Sequence, residues 1–312
     1  MADHTTNYPT GNATHHSGEF IGVDWGSSSF RLMSFDSQGQ IQHQTSSGEG
    51  VVKLGKHHLQ AYLINQISKL DPAPILMCGM VGSRLGWQEV PYLDCPARVA
   101  DFSRELVKLN ADFEAYLVPG LRFNGARLDV MRGEEVQLCG WWHVTDDRRV
   151  GDAVRLCLPG THSKWVTLEG DQITSIETAL TGELFQLVGQ HSVLVQGEQR
   201  WQEQSFMQGV YAAQQGKGLL HNLFSGRANV VAGGDQSDAA RSYLSGLLIG
   251  TEFREQQQDQ EITGPIQLIG TEGLVGRYIA AANLLDIEVV SWSGEAMVAA
   301  GLRAIWREKN VQ

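Results

Sequence analysis

One supersecondary unit occurs twice in this chain, and that duplication restricts the fold more than any other feature. Residues 20–41 read FIGVDWGSSSFRLMSFDSQGQI: an apolar run, a turn of glycine and three serines, a second apolar run and a second turn. From Val154 the pattern restarts as RLCL, PGTHS, KWVTLEG, a further turn and QITSIET. Gly26-Ser27-Ser28-Ser29 matches Gly160-Thr161-His162-Ser163, and each stretch is followed by a basic residue, Arg31 or Lys164. Repetition of a unit this large predicts two similar lobes, each offering a hydroxyl-rich hairpin tip to a shared cleft.

The remaining pattern predicts strands over 20–25, 30–36 and 40–46, joined by tight turns at Gly26 and Ser37-Gln38-Gly39. Residues 57–71 carry helical apolar spacing and stop before Pro72. PILMCGM reads as a short buried strand, and a second strand near Ala115–Val118 precedes a loop that feeds a helix starting near Gly133. Beyond the second triple-strand unit the chain is mainly helical, near 181–190, 200–215, 219–226 and 236–256. Strand IQLIG, helix TEGLVGRYIAAANLL, strand EVVSW and a helix from Glu295 close it, and 254–264 reads as a solvated helix end and loop. Such alternation is α/β architecture. The expected division is a disordered tail over 1–18, one lobe over 19–150 and a second over 151–312, with the final helix packing back toward the first.

Composition narrows the function classes. A balance of 24 Lys+Arg against 35 Asp+Glu gives a formal charge of −11, which argues against nucleic acid and against an anionic membrane surface. No apolar run reaches the roughly 20 residues of a membrane span. The first 18 residues lack the basic start and apolar core of a signal peptide, and His15 and His16 there read as solvated. Cys78, Cys95, Cys139 and Cys157 form no CxxC pair, so they read as reduced residues of a cytoplasmic protein.

A tight turn of small residues after a strand exposes successive N–H groups that bind anions. Glycine allows close backbone approach, and hydroxyls add donors without bulk. Two such turns can grip a polyphosphate, with Asp24 holding a hydrated Mg²⁺, an ion that takes only one or two carboxylates. Ordinary turn chemistry is the competing reading of both turns and of Asp24. GVVKLGKH (50–57) falls short of a Walker A loop, because His57 replaces the Ser/Thr and no strand precedes it. LIGTEGLVGRYIAAA carries G-x-x-G-x-x-G spacing, which is weak support for a dinucleotide and leaves room for an adenine base.

The hairpins and the LIGTEGL segment resemble the phosphate-1, phosphate-2 and adenosine motifs of the sugar kinase/actin/chaperone-ATPase superfamily. Within it, VDWGSSSFR, CGMVGSRLGW, DVMRGEEVQLCG, LPGTHSKWV, TGELFQLV, SYLSGLLIGTEF and LIGTEGLVGRYIAA resemble 2-dehydro-3-deoxygalactonokinases, in order, over residues 20 to 305. The resemblance implies a two-lobed actin-like ATPase (ribonuclease H-like) α/β fold, with duplicated βββαβα-type domains around a central cleft. It also implies transfer of the ATP γ-phosphate to the 6-hydroxyl of 2-dehydro-3-deoxy-D-galactonate, with Mg²⁺. The superfamily usually begins its second hairpin with an acid; Pro159 is read here as the counterpart of Asp24, which leaves the metal to the first lobe.

The roles then implied are these. Glu134, opening the helix after Gly133, is the expected base that orients the acceptor hydroxyl, with Glu135 and Glu183 as alternatives. Gly26, Ser27, Ser28, Ser29, Arg31, Gly160, Thr161, His162, Ser163 and Lys164 surround the phosphates, and Gly270, Thr271 and Gly273 the adenosine. The substrate carboxylate falls to Gly82, Ser83 and Arg84 with Trp87 as a wall, or to Arg132. The partners are ATP and a sugar acid, with a homodimer left open. Two rivals remain: a kinase for another sugar or sugar acid, and a non-catalytic actin-like ATP-binding protein.

Overall fold

Strand β1, Phe20–Trp25, is buried along nearly its whole length because it lies in the middle of a sheet. A computed structural model describes residues 19–145, 153–196, 200–215, 217–232, 239–259 and 264–311. The tail 1–18 with His15 and His16, the lobe boundary expected at 150/151 and residues 260–263 of the polar run lie outside the described residues. The described residues within 19–145, 171–174 and 295–311 form one compact unit, and those within 153–170 and 175–294 form another.

In the first unit β1 pairs antiparallel with β2 (Phe30–Phe35), which pairs antiparallel with β3 (Ile41–Ser47). On its other side β1 pairs parallel with β4 (Ile75–Gly79), and β4 with β5 (Ala115–Leu117). Helix α1, Leu59–Ile67, buries Leu59, Leu63 and Ile67 at i, i+4, i+8 against Val23, Trp25, Phe30 and Leu32. The loop expected before Gly133 is instead a β-hairpin, Leu121–Asn124 with Leu128–Met131, beside Leu93–Asp94. Its two strands have four residues each, and their exposed positions mix Arg122 and Asn124 with Leu128 and Val130, so neither strand stands out from loop along the sequence. Helix α2, Glu134–Val144, follows.

The second unit repeats the order. Strand β6 (Ala153–Leu158) pairs antiparallel with β7 (Ser163–Glu169), whose other neighbour is β8 (Gln172–Ala179). β6 also pairs parallel with β9 (Ile266–Gly270), and β9 with β10 (Val289–Ser293). Both sheets therefore run third-second-first-fourth-fifth, so the restart at Val154 is a repeat of topology as well as of composition. This is the duplicated actin-like, ribonuclease H-like arrangement. Residues 171–174 belong to the first unit, where Gln172 and Ile173 pair with Arg98 and Ala97.

Helices α3 (Thr181–His191), α4 (Glu203–Gln214), α5 (Leu219–Ala232), α6 (Ala240–Asp259) and α7 (Glu272–Leu284) complete the second unit. Its core joins Cys157, Trp165, Phe206, Val210, Phe253, Leu268 and Tyr278. Among the described residues no helix is long and apolar enough to cross a membrane.

Each unit contains a helix crossing that only glycine permits. In the first, a Cβ on Gly140 of α2 would sit 1.9 Å from the Met297 carbonyl oxygen, and one on Gly301 would sit 1.9 Å from that of Val136. The C-terminal helix, Gly294–Lys309, is thereby seated backbone-to-backbone on α2. In the second, Gly209 of α4 faces the Tyr243 carbonyl of α6 at 2.1 Å, and Gly246 faces that of Phe206 at 2.0 Å. Overpacking of a close contact costs about 1–3 kcal/mol or more, so Gly301→Ala is expected to lower the melting temperature by several degrees. Gly276 lies in α7 with open space around it; Gly276→Ala is expected to raise stability by about 0.5–1 kcal/mol through helix propensity alone. Thermal denaturation of both variants checks the contrast, which vanishes, with both variants stabilised, if helix propensity rather than backbone contact governs Gly301.

Candidate active site

Both glycine-containing turns are held from behind by the start of a helix. In the first, the Gly26 N–H donates to Ser29 O at 2.9 Å, while the Val51 and Val52 N–H groups donate to Gly26 O (3.0 Å) and Ser27 O (3.1 Å). A Cβ on Gly50 would lie 2.2 Å from Ser27 O, so glycine is what lets the short helix Val51–Leu54 dock there. In the second, the Glu183 N–H donates to Thr161 O at 2.8 Å, and a Cβ on Gly182 would lie 2.2 Å from Gly160 O. With carbonyls tied to helix N-termini, Ser27, Ser28, Thr161 and His162 stand exposed at the tips. Gly160 has open space where its side chain would be, its nearest neighbour being 3.9 Å away. Small residues, exposed hydroxyls and an open glycine fit a phosphate chain.

The acids of the first unit gather at the ends of β1 and β4. Asp24 accepts from Arg31 Nη1 at 3.1 Å, and the Cys78 thiol lies 3.9 Å from its other oxygen. Burial pushes the Asp24 carboxyl up, and Arg31 opposes that. The Cys78 thiol is pushed well up by burial and then by the charges of Asp24, Glu135 and Glu134. Gly79 (φ 89°) and Gly133 (φ 112°) both take left-handed backbone, and a Cβ on Gly133 would be 3.3 Å from Gly79 Cα. These glycines bring the head of α2 onto the end of β4. Arg31 was expected at the phosphates; it is paired with Asp24 instead, because the two are cross-strand partners.

The two glutamates at the head of α2 diverge. Glu134 is half-buried, and its Oε2 accepts the Arg132 N–H at 3.2 Å. Glu135 is fully buried; Oε2 accepts the Gly133 N–H at 2.6 Å and Oε1 has no partner. Burial, then the neighbouring Glu134 charge, pushes Glu135 up to about 8. Arg132 is 9% exposed, donates from Nη2 to Val90 O at 2.7 Å and stacks over Tyr92 at 4.3 Å. It braces the segment before α2, and its Nε and Nη1 are buried without a hydrogen-bond partner among the described residues, so two of its donors stay uncommitted. Trp87 is half-buried and packs on the core against Phe113, ring centroids 6.0 Å apart. Gly82 is buried and Ser83 donates its hydroxyl to Met80 O at 2.7 Å, which leaves Arg84 as the exposed group of that loop.

The second unit supplies donors. His162 Nε2 and Glu183 Oε2 are 2.5 Å apart at the exposed turn. Ser163 and Lys164 were expected at the phosphates; as consecutive residues of β7 they point to opposite faces, both covered: the Ser163 hydroxyl meets the Tyr278 hydroxyl at 2.9 Å in the interior, and Lys164 Nζ donates to Thr178 at 2.8 Å. The expected equivalence of Pro159 with Asp24 also fails. Counted from the shared glycine the counterpart of Asp24 is Leu158, and counted from the strand ends it is Cys157, since Pro159 lies in the turn. Neither is an acid. Gly270, Thr271 and Gly273 join β9 to α7, and a Cβ on Gly270 would meet Pro159 O at 3.6 Å, which seats this segment beside the second turn.

Beneath that turn lies a group the sequence pattern did not single out. Glu252 of α6 is buried and accepts from Trp165 Nε1 (2.7 Å), the Tyr278 hydroxyl (2.7 Å) and the Thr181 hydroxyl. Burial pushes its carboxyl up while these donors oppose the shift. The donors come from three separate elements, so their convergence had no signal in local spacing.

Among the described residues no three His, Cys, Asp or Glu side chains converge as a metal cage. Asp24 alone is the type of site that suits a hydrated Mg²⁺, held chiefly by phosphate oxygens and water.

Comparison with known proteins agrees with this geometry. The family described as 2-keto-3-deoxy-galactonokinase matches residues 24–305. The protein named "Probable 2-dehydro-3-deoxygalactonokinase DgoK1" of Rhizobium meliloti is 33% identical over 93% of this chain and 98% of its own. The 2-dehydro-3-deoxygalactonokinase of Escherichia coli is 30% identical over 92% of this chain and 97% of its own. A crystal structure from Sinorhizobium meliloti bearing the same enzyme name has a TM-score of 0.84 at 32% identity, covering 92% of this chain and 98% of that one. The chain thus belongs to the 2-keto-3-deoxy-galactonokinase family and is a sugar-acid kinase, for which ATP and a sugar acid are the small-molecule partners.

Proposed function

We propose that this protein transfers the γ-phosphate of ATP to the 6-hydroxyl of 2-dehydro-3-deoxy-D-galactonate, giving the 6-phosphate in galactonate breakdown. The observation that carries the reading is the half-buried Glu134 at the head of α2, beside Asp24 and within a chain matched along its length by this kinase family. Phosphoryl transfer asks for positioning, charge stabilisation and a carboxylate for the acceptor hydroxyl. Glu134 orients that hydroxyl and accepts its proton, and the N-terminus of α2 favours its ionised form. Glu135, buried against its own backbone, does not reach substrate.

Asp24 holds the hydrated Mg²⁺ that neutralises developing charge on the phosphates. Ser27, Ser28, Ser29 and Gly26 on one turn, and Gly160, Thr161 and His162 on the other, bind the phosphate chain. Gly270, Thr271 and Gly273 accommodate adenosine. Arg84, exposed and without an ion-pair partner among the described residues, meets the substrate carboxylate. Four free cysteines suit a reducing, cytoplasmic setting.

The decisive assay incubates the protein with Mg-ATP and a panel of aldonic and 2-keto-3-deoxy acids and follows ADP release. Release is expected with 2-dehydro-3-deoxy-D-galactonate; none with any 2-keto-3-deoxy acid would overturn the substrate. Glu134→Gln is expected to lower kcat by about 10² or more with little change in nucleotide affinity. Near-normal turnover in that variant would remove Glu134 from the chemistry.

Glu135 gives a prediction of different kind. Its folded pKa is raised from an ordinary 4.5 to about 8. Its stabilising contribution is therefore complete below pH 4.5 and lost as pH rises through about 8. Glu135→Gln removes that dependence. Melting curves across this range are expected to show the wild type losing stability relative to the variant as pH rises, and parallel curves would contradict the buried, protonated state.

A further inference from the structure

Glu183 occupies a place that neither a base nor a plain helix cap explains. It is the third residue of α3, its own N–H ties down Thr161 O, and its carboxylate sits 2.5 Å from His162 Nε2. The close approach of Gly182 to Gly160 O makes this placement a property of the backbone and not of a chance side-chain rotamer. Ser163 points inward and Lys164 is directed to Thr178, so His162 is the basic side chain that the second turn presents outward. With Nε2 engaged by Glu183, Nδ1 is the ring atom left to face a ligand.

We propose that Glu183 is a positioning residue: it orients the His162 imidazole through Nε2, so that the Nδ1 edge of the ring faces the phosphate chain of a bound nucleoside triphosphate. An imidazole that donates Nε2–H to Glu183 and Nδ1–H to a phosphate oxygen makes two charge-assisted hydrogen bonds in line, and without the carboxylate the exposed ring is free to rotate away from the ligand. The pair also keeps the turn from presenting a bare negative charge to the phosphates. This rests on the kinase reading above, and it takes Glu183 out of competition for the role of base.

The test is a double-mutant cycle on nucleotide binding, read by calorimetry with Mg-ATP in the absence of any sugar acid. His162→Ala and Glu183→Ala are each expected to weaken ATP binding by about tenfold, the scale of a partly exposed charge-assisted hydrogen bond. The double variant is expected to bind no more weakly than His162→Ala, because Glu183 acts through the imidazole. Glu183→Gln, which keeps a polar contact but loses the charge, is expected to fall between wild type and Glu183→Ala, while KM for the sugar acid stays unchanged in all of them. Additive losses would assign Glu183 a separate structural role and overturn the proposal. So would an unchanged ATP affinity with a collapsed kcat, the behaviour of a base. Because binding is read without substrate, failure of the sugar-acid assignment would leave this outcome intact, and a null result here would leave that assignment intact.

Discussion

The structure depends on a contact between a helix start and a turn carbonyl, made once in each unit and allowed in each case by a glycine. Gly50 and Gly182 both stand where a Cβ would overlap a turn carbonyl oxygen at 2.2 Å. Removing that side chain lets N–H groups of the following helix reach carbonyls of the hairpin, Val51 and Val52 in one unit and Glu183 in the other. A turn of Gly, Ser and Thr is otherwise soft, because these residues gain little from packing and lose much backbone entropy on ordering. Anchoring its carbonyls fixes the turn and leaves small side chains outermost, which is the arrangement an anion requires. The two contacts differ in detail: one helix has four residues and two donors, the other eleven residues and one. What is repeated is the physical solution, not the sequence around it.

On that shared frame the units have diverged in charge. The first collects Asp24, Glu134 and Glu135 around the ends of β1 and β4, with Arg31 as the counter-charge of Asp24. Burial, reinforced by the neighbouring Glu134 charge, pushes Glu135 up to about 8. Glu134, less buried, is the carboxyl group of the pair that the proposed transfer uses. In the second unit the position matching Asp24 is apolar or a thiol, and the turn presents Thr161 and His162 instead. A protein of net charge −11 thus meets an anionic nucleotide through local donors and helix starts rather than through a basic surface.

Much of this was legible in the sequence, for a physical reason. Strands, turns and their repetition follow from period-two apolar spacing and from glycine and serine punctuation, which are local properties. The duplicated strand order and the head of α2 at Glu134 follow the expected pattern closely. What escaped was set by direction and by distant partners. Ser163 and Lys164 adjoin the exposed turn in sequence, but both belong to β7, a strand covered on both faces, so alternation leaves neither side chain exposed. Arg31 was read as a phosphate ligand because nothing along the chain shows that it faces Asp24 across the hairpin. The hairpin of Leu121–Asn124 and Leu128–Met131 reads as loop along the sequence because its strands are short and the apolar residues of the second, Leu128 and Val130, face outward.

Glu252 shows why such groups resist sequence reading and yet matter. An acid in the middle of an apolar helix looks like an outward-facing residue, but it is buried and surrounded by donors. Each of those donors belongs to an element that shapes the nucleotide side of the second unit: Trp165 to β7 after the turn, Thr181 to the start of α3, and Tyr278 to α7 after Gly270-Thr271. Trp165 Nε1 is donor only, so it can be satisfied here by an acceptor and by nothing else. A glutamine at this position would bring its own N–H group against hydroxyls already committed to donating, and a leucine would orphan the buried Trp165 N–H. One carboxylate, costly to bury by itself, therefore fixes the turn, the anchoring helix and the adenosine segment relative to one another. The second turn's strand, the head of α3 and α7 are thus aligned by an interior polar contact, and their mutual order is set in the core of the second unit.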